Sequence, residues 1–213
     1  LHFKPFVSII TNIEEDHLDY FKDLNHIITS FVKFASLTND NGCNIVCIDE
    51  NTTQSIVQNV KKKAVTYALN NKNADYTAEN ITLEKNGCPT FDIFNKDRKV
   101  LSVSLNVAGD HNICNALGVT AACEFLGIEP EYIKSGLEEF RGAKRRFDRL
   151  GKTETGVDVV DDYAHHPTEN KNNSETAKKW DTTMFGWLFS PTLIPVQLRF
   201  WNNSLLHLKR LTE

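Results

Sequence analysis

The sequence predicts an α/β fold, in which a parallel sheet is covered by helices and a small antiparallel sheet is added to it. Two observations predict this class. Between residues 6 and 69, short apolar runs alternate with stretches of helical periodicity, which is the β-α-β order of parallel sheets. Between residues 74 and 107, short strands follow one another across turns that contain Asn, Gly or Asp, as in antiparallel hairpins.

The parallel part is predicted from three strands and two helices. Each strand is a short, largely apolar run, and each helix has apolar residues recurring every three or four positions. The predicted strands are residues 6–10, 44–48 and 64–69, and the predicted helices cover about 22–36 and 52–63.

The rest of the chain contains short strands, two helices and one later strand. Gly127 ends the first of these helices, and Pro130 precedes the second. After Glu169 the hydrophobic periodicity fades, and the pattern predicts no further element. The predicted strands are 76–78, 80–83, 90–94, 100–105 and 157–161, and the helices are about 112–126 and 131–140.

Composition excludes several functional classes. The net charge of −4 and the pI of about 6.0 disfavour a broad nucleic-acid-binding surface. No run approaches the roughly 18 apolar residues that span a bilayer, so we expect no membrane partner. Five cysteines, an odd and sparse set, favour reduced thiols in a cytoplasm. The spacing of Cys43 and Cys47 is not a zinc pattern, and we expect both in a buried strand.

The two ends of the chain differ from its average. Residues 1–169 carry 18 basic and 25 acidic side chains, a net charge of −7, whereas residues 170–213 carry 6 and 3, a net charge of +3. All three tryptophans and the one methionine lie after residue 179, and the chain starts at Leu1. Both ends therefore need an explanation.

The first chemical cluster, residues 11–19, follows the first strand. It contains five acidic residues or histidines within six positions, ending in Asp19 after Leu18. Ligands of α/β sheets bind at the carboxyl ends of strands, so this loop suits a divalent metal or a phosphate. The alternative is a solvated acidic loop in which Asp16 or Asp19 favours the N-terminus of the next helix.

The second cluster, residues 109–116, opens a predicted helix. Asn112 and Asn115 lie three positions apart, so both amides can project from one helical face into one cleft. Such amides can read the edge of a base or simply cap the helix. Capping suits Asn112 better than Asn115.

Two further clusters combine cations, carboxylates and imidazoles. Residues 142–147 include Arg145 and Arg146, which suit phosphate binding through forked hydrogen bonds or form a plain solvated face. Residues 161–169 place two carboxylates, a phenol and paired histidines just past a strand, which suits acid–base or hydroxyl-binding roles as well as metal binding.

Residues 151–153, Gly-Lys-Thr, imitate the end of a phosphate-binding P-loop. That motif requires a glycine five positions before Gly151, where this sequence has Arg146. The chain therefore contains no Walker A sequence.

In this order, the segments TNIEEDHLDYF, GDHNICNA, GAKRRFDRLG and DDYAHHPTE resemble the Mur ligase family, whose ATP-dependent members add amino acids to the peptidoglycan precursor. The resemblance covers about residues 1–169. The sequences of these segments are most similar to those of members that join L-alanine to UDP-N-acetylmuramate. It implies ATP and Mg²⁺ as cofactors, small-molecule substrates and a bacterial cytoplasmic location.

The resemblance also implies roles for particular residues. His17 would help to hold a magnesium ion, although magnesium prefers oxygen ligands. The adenine would lie beside His111, Asn112 and Asn115, and Arg146 would reach the phosphates. The ribose would bind Asp161 or Asp162, and the muramate carboxyl and alanine would face Tyr163, His165 and His166.

The resemblance further divides the chain. Residues 1–148 correspond to part of the central ATP-binding domain, and residues 149–179 to the start of a Rossmann-like C-terminal domain. The N-terminal uridine-nucleotide domain, the P-loop lysine and an acidic metal segment have no counterpart. We therefore expect a fragment that binds ATP weakly and does not turn over.

Residues 180–213 are expected to be a disordered, out-of-frame tail. The family continues with a strand ending in FQPHTYSRT, where this chain has FSPTLIPVQ from Phe189. Suitable synonymous codons for FSPTLIPVQ, read from the third base, encode QPHTYSRT. One base lost near the Lys178–Lys179 codons would explain the shift, and the nucleotide sequence tests it. The alternative is a divergent tail that binds a partner, and residues 170–174 fit the family poorly in either case.

Two other functions stay open. The first is the related ligase that recycles murein tripeptide, which an FDHAD-like loop at residues 14–19 would favour; this chain has Glu15-Asp16-His17-Leu18-Asp19 instead. The second is a non-catalytic fragment that only binds.

Overall fold

The computed structural model describes residues 3–164, 166–178, 180 and 186. Within them the chain forms eight strands and five helices. In chain order these are β1 (Val7–Ile10), α1 (Leu24–Ser36), β2 (Cys43–Cys47), α2 (Asn51–Asn59), β3 (Ala64–Tyr67), β4 (Tyr76–Leu83), β5 (Pro89–Asn95), β6 (Arg98–Ser104), α3 (Asp110–Phe125), α4 (Pro130–Glu139), β7 (Asp148–Lys152), β8 (Asp158–Asp161) and α5 (Pro167–Lys178).

The first six strands form one mixed sheet in the order β1-β2-β3-β4-β5-β6. Strands β1 to β4 pair in parallel, and β4, β5 and β6 pair antiparallel. The two parts meet at one residue pair, Tyr67 with Tyr76. Strands β7 and β8 form a separate antiparallel pair. The predicted α/β class is confirmed, and the hairpin strands extend the parallel sheet.

Helices cover both faces of the sheet. Ile10, Ile27 and Ile56 lie in the core that α1 and α2 form with one face. Tyr67 and Leu117 lie in the core that α3 forms with the other face. Strand β2 is buried at all five positions, so its sequence CNIVC lacks the alternation of a strand with one solvent-facing side.

The start of α1 differs from the expectation. Its N-cap is Asp23, whose carboxylate accepts a hydrogen bond from the His26 backbone N–H at 2.8 Å. The prediction that Asp16 or Asp19 supports this helix terminus is wrong, since both lie in the loop at least five residues before Leu24.

The start of α3 also differs, by two residues. Gly109 adopts a φ of +101°, a backbone conformation that favours glycine, and the helix begins directly after it at Asp110. Asn112 is therefore not the N-cap. Its amide instead donates to the Ala108 carbonyl at 2.7 Å, within the helix start.

Two elements were not predicted from the pattern. Strand β7, with the sequence DRLGK, has no apolar alternation and begins at Asp148, where the predicted domain boundary lies. Helix α5 buries a mainly polar face instead of an apolar one: Asn170, Asn173, Ser174, Thr176 and Ala177. The ends of other predicted elements shift slightly. Helix α2, for example, ends at Asn59 because the backbone of Val60 is extended.

Several predictions fall on residues outside the described part, namely His165 and nearly all of the proposed out-of-frame tail at 180–213. Trp180 is described, and its ring packs edge-on against Phe147 with centroids 5.3 Å apart. In the described part of the chain, no helix combines the length and apolar character that a membrane span requires.

Candidate active site

A large open cleft of about 2110 Å³ lies at the carboxyl ends of β1, β2 and β3. Its walls come from the loop after β1, the residues after β2 and β3, the first turns of α3, and the segments 142–147 and 162–169. This is the edge at which parallel sheets bind ligands. Segments far apart in sequence thus face one space.

The cleft collects most of the residues that the sequence singled out. Asp161 does not line it, and His165 lies outside the described residues. The predicted residues that line it are His17, His111, Asn112, Asn115, Arg146, Asp162, Tyr163 and His166.

The first turns of α3 present three of these side chains. The Asn112 amide lies 3.2 Å from His111 Nε2, and the Asn115 amide donates to Asn112 Oδ1 at 3.4 Å. Burial lowers the pKa of His111, against the opposing effect of Asp162 and Asp110. A neutral imidazole with the proton on Nδ1 accepts the Asn112 amide hydrogen at Nε2. The three side chains thus form one neutral polar surface.

The loop after β1 is joined to the start of α5. Thr168 Oγ1 donates to Glu14 Oε2 at 2.5 Å, and His166 Nδ1 lies 3.4 Å from the same oxygen. His166 Nε2 lies 3.3 Å from the Glu15 carbonyl. These contacts connect residues more than 150 positions apart, so the acidic loop and the histidine segment form one wall.

His17 lies at the cleft rim with its side chain 71% exposed and its φ at +50°. Asp16 Oδ2 lies 3.7 Å from His17 Nε2. The carboxylate supplies the oxygen that magnesium prefers, and the imidazole adds one nitrogen. At the cleft rim these two side chains thus offer one oxygen and one nitrogen donor.

The two arginines differ in position. Arg146 lines the cleft, and its Nη1 pairs with Glu169 Oε1 at 2.9 Å. Arg145 instead pairs with Asp161 at 3.6 Å and stacks over the Tyr163 ring at 4.7 Å from its centroid. Only Arg146 is therefore placed to meet a phosphate in the cleft, while Arg145 orients its neighbours.

The carboxylate of Asp162 is held by backbone. Its Oδ2 accepts from the Phe147 N–H at 2.5 Å, and its Oδ1 accepts from the Ala164 N–H at 2.6 Å. A carboxylate has about four acceptor sites, so two remain for hydroxyl groups. Asp162 thus faces the cleft in a fixed orientation, whereas Asp161 turns towards Arg145.

The sequence analysis missed Asp49, and it gave Glu14 and Glu169 no role of their own beyond membership of their clusters. Asp49 follows β2 and accepts three backbone hydrogen bonds, from Leu69, Asn70 and Asn71, at 2.8 to 3.0 Å. It lines the cleft. Its position just past a parallel strand, the same signal that marked residues 11–19, was enough to find it.

Comparisons with known proteins match this architecture. Residues 1–123 match the model of the Mur ligase middle domain. The chain is 42% identical over 191 residues to the UDP-N-acetylmuramate–L-alanine ligase of Acetivibrio thermocellus, covering 90% of this chain and 40% of that protein. It is 41% identical to the ligase of the same name from Clostridium perfringens, covering 90% and 41%.

Solved structures give the same result. MurF from Acinetobacter baumannii superposes with a TM-score of 0.74 at 26% identity, covering 84% of this chain and 38% of that one. UDP-N-acetylmuramate–alanine ligase MurC from Thermotoga maritima superposes with a TM-score of 0.69 at 31% identity, covering 83% and 39%.

The chain spans about 40% of the length of the curated relatives that it matches. The match to the middle-domain model covers more than half of its residues, and it includes β1 to β6 and most of α3. The resemblance carried by the sequence motifs is confirmed: this chain belongs to the Mur ligase family.

Proposed function

We propose that this chain carries part of the active site that joins L-alanine to UDP-N-acetylmuramate at the expense of ATP, in peptidoglycan precursor synthesis. One observation carries the proposal: four motif segments between residues 11 and 169 face one cleft at the carboxyl edge of the sheet. The identity to ligases named for that reaction supports the choice of substrates. The five free thiols suit the reducing bacterial cytoplasm.

The family reaction has two steps. A carboxylate oxygen of the muramate attacks the γ-phosphorus of ATP, so that ADP leaves and an acyl phosphate forms. The alanine amine then attacks the acyl carbon; the C–N bond forms, the C–O bond to phosphate breaks, and the amine gives up a proton. Both steps gather negative charge, which positioned cations stabilise.

The neutral surface at the start of α3 is assigned to the adenine. Asn115 and Asn112 offer amide groups, and His111 offers a ring held uncharged by burial. An uncharged site suits an adenine, whose edge carries both donors and acceptors. Asp162, fixed by two backbone N–H groups, keeps acceptor sites for the ribose hydroxyls, and Asp161 is the alternative.

Arg146 is assigned to the phosphates. Its side chain is 55% exposed and pairs with Glu169, so a phosphate must compete with that carboxylate for the guanidinium. Tyr163, His166 and the undescribed His165 are assigned to the muramate carboxyl and the alanine. Asp16 and His17 would hold a magnesium ion, which neutralises charge on the transferred phosphoryl group when bound.

The test has two parts. The 213-residue chain, which contains no Walker A sequence, is expected to release no phosphate with ATP, UDP-N-acetylmuramate and L-alanine. A chimera that places residues 3–178 into Thermotoga maritima MurC is expected to release phosphate only when both substrates are present. Arg146→Lys in the chimera should reduce turnover, since one ammonium cannot make the forked contact.

The outcomes separate the alternatives. A folded chimera that uses murein tripeptide in place of L-alanine would assign the chain to the recycling ligase. A folded chimera that turns over neither acceptor would overturn the proposal and leave a binding-only role. Circular dichroism and gel filtration of each chimera establish that it is folded before the activities are compared.

A further inference from the structure

Two thiols and a carboxylate meet where β2 ends beside α3. The Cys47 and Cys114 sulfurs lie 3.5 Å apart, although 67 positions separate them in the sequence. Each sulfur lies 3.9 Å from Asp49 Oδ2. Among the described residues, these three form a group whose possible ligand atoms all lie within 4.8 Å of one another.

The spacing of these atoms suits one face of a tetrahedron. Metal–sulfur bonds of about 2.3 Å and a metal–oxygen bond of about 2.1 Å place two sulfurs about 3.8 Å apart and each sulfur about 3.6 Å from the oxygen. The observed distances differ from these by about 0.3 Å. We propose that Cys47, Asp49 and Cys114 bind a thiophilic divalent cation such as Zn²⁺, with the fourth position open to the cleft.

The carboxylate is held ready for this role. Asp49 Oδ1 accepts from the backbone of Asn70 and Asn71, and Oδ2 accepts from Leu69 while facing both sulfurs. Outer hydrogen bonds of this kind fix a ligand before the metal arrives and strengthen binding. Little rearrangement is therefore needed to complete the site.

The surroundings allow a cation to enter and remain. All three ligands line the cleft, so an ion reaches them from solvent, while Cys47 itself is only 5% exposed. Glu50 lies next in sequence to Asp49 and also lines the cleft, which adds negative charge. Both thiols release protons on binding, and two thiolates with one carboxylate favour zinc over magnesium.

This site is separate from the magnesium position assigned at His17. Its ligand Cys114 lies between Asn112 and Asn115 in the first turns of α3. A bound cation would tie β2 to α3 and stiffen the wall that carries those amides. The inference rests on atoms that the proposed ligase reaction does not use.

Cobalt binding to the reduced, metal-free 213-residue chain tests the proposal. We expect one equivalent of Co²⁺ to produce the thiolate-to-cobalt charge-transfer band, and Zn²⁺ to displace it. Cys114→Ala and Cys47→Ser should each weaken binding at least tenfold, since each removes a ligand. Cys88→Ser is the matched control, because Cys88 is half-buried outside the cluster. This variant should bind Co²⁺ as tightly as the unmodified chain does.

X-ray absorption at the zinc edge supplies a second measurement. We expect two sulfur neighbours at about 2.3 Å in the unmodified chain and one in Cys114→Ala, which should fold because alanine favours helices. Retention of the cobalt band in folded Cys114→Ala would overturn the proposal. So would the absence of the cobalt band in the folded, reduced chain, in which both thiols are free to bind.

Discussion

Asn44 is expected to be a main determinant of stability in the frame that holds the acidic loop. Its Oδ1 accepts hydrogen bonds from Ser8 Oγ at 2.6 Å and Thr38 Oγ1 at 2.8 Å, and its Nδ2 donates to the Ala35 carbonyl at 3.2 Å. Asn44 is 0% exposed, so water cannot replace these partners. The network joins β1, β2 and the end of α1, on either side of the loop that carries His17.

The cost of Asn44→Ala follows from these contacts. Three buried hydrogen bonds at about 1 kcal/mol each give about 3 kcal/mol. The space left by the amide adds roughly 1 kcal/mol, so the free energy of unfolding should fall by about 4 kcal/mol. A typical domain has only about 5–15 kcal/mol in total, so this change is large.

Asn44→Asp keeps the shape of the side chain but replaces its hydrogen-bond donor with a charged acceptor. The carboxylate still accepts from both hydroxyls, but it places an unpaired charge against the Ala35 carbonyl. Its folded pKa should rise above the unfolded value of about 3.9, so the variant should regain stability as the pH falls towards that value. Asn44→Ala should show no such recovery.

Urea unfolding followed by far-ultraviolet circular dichroism measures these effects. Thr38→Val is the matched control, because it removes one hydroxyl from the network and should cost about 1 kcal/mol. If Asn44→Ala costs no more than Thr38→Val, or if Asn44→Asp shows no dependence on pH between 3 and 7, the network does not stabilise the frame.

Three further changes have expected outcomes. Gly118→Ala should destabilise the fold by about 1–3 kcal/mol in urea unfolding, because the added Cβ would lie 2.9 Å from the fully buried Tyr67 ring. Lys99 holds the pKa of Asp92 well below its usual range, so stability should fall as the pH drops below about 4, and Asp92→Asn should weaken that dependence in acid unfolding. Asn173→Leu should raise the unfolding midpoint, since the buried Asn173 Nδ2 has no hydrogen-bond partner within the described part of the chain.

Much of the fold could be predicted because its sheet strands are apolar and its turns are polar. Strand β2 is buried at all five positions, so its sequence CNIVC shows the signal of a strand covered on both sides. The join between the parallel and antiparallel parts was not predictable in this way. It depends on the pairing of Tyr67 with Tyr76, and neither residue shows its partner in the sequence.

Helix α5 shows where pattern reasoning fails. Hydrophobic periodicity detects a helix by its apolar face, and the buried face of α5 contains Asn170, Asn173, Ser174 and Thr176. The hydroxyls of Ser174 and Thr176 bond back to carbonyls four residues earlier, so part of this polarity is satisfied within the helix. Within the described residues the Asn173 Nδ2 atom has no such partner, and this is why replacement of Asn173 by leucine should stabilise the chain.

The sequence predicted which kinds of side chain line the site, but not which of them contact one another. The motifs placed arginines, carboxylates and histidines at the edge of the sheet, but the partners are set by contacts between distant segments, such as Arg146 with Glu169 and His166 with Glu14. Arg146, the arginine that lines the cleft, already faces the Glu169 carboxylate. If Arg146 binds a phosphate, as proposed, that phosphate competes with Glu169, which lies in the first turn of α5. The pairing would then link phosphate binding to the helix start that follows Tyr163 and His166, the residues proposed for the second substrate.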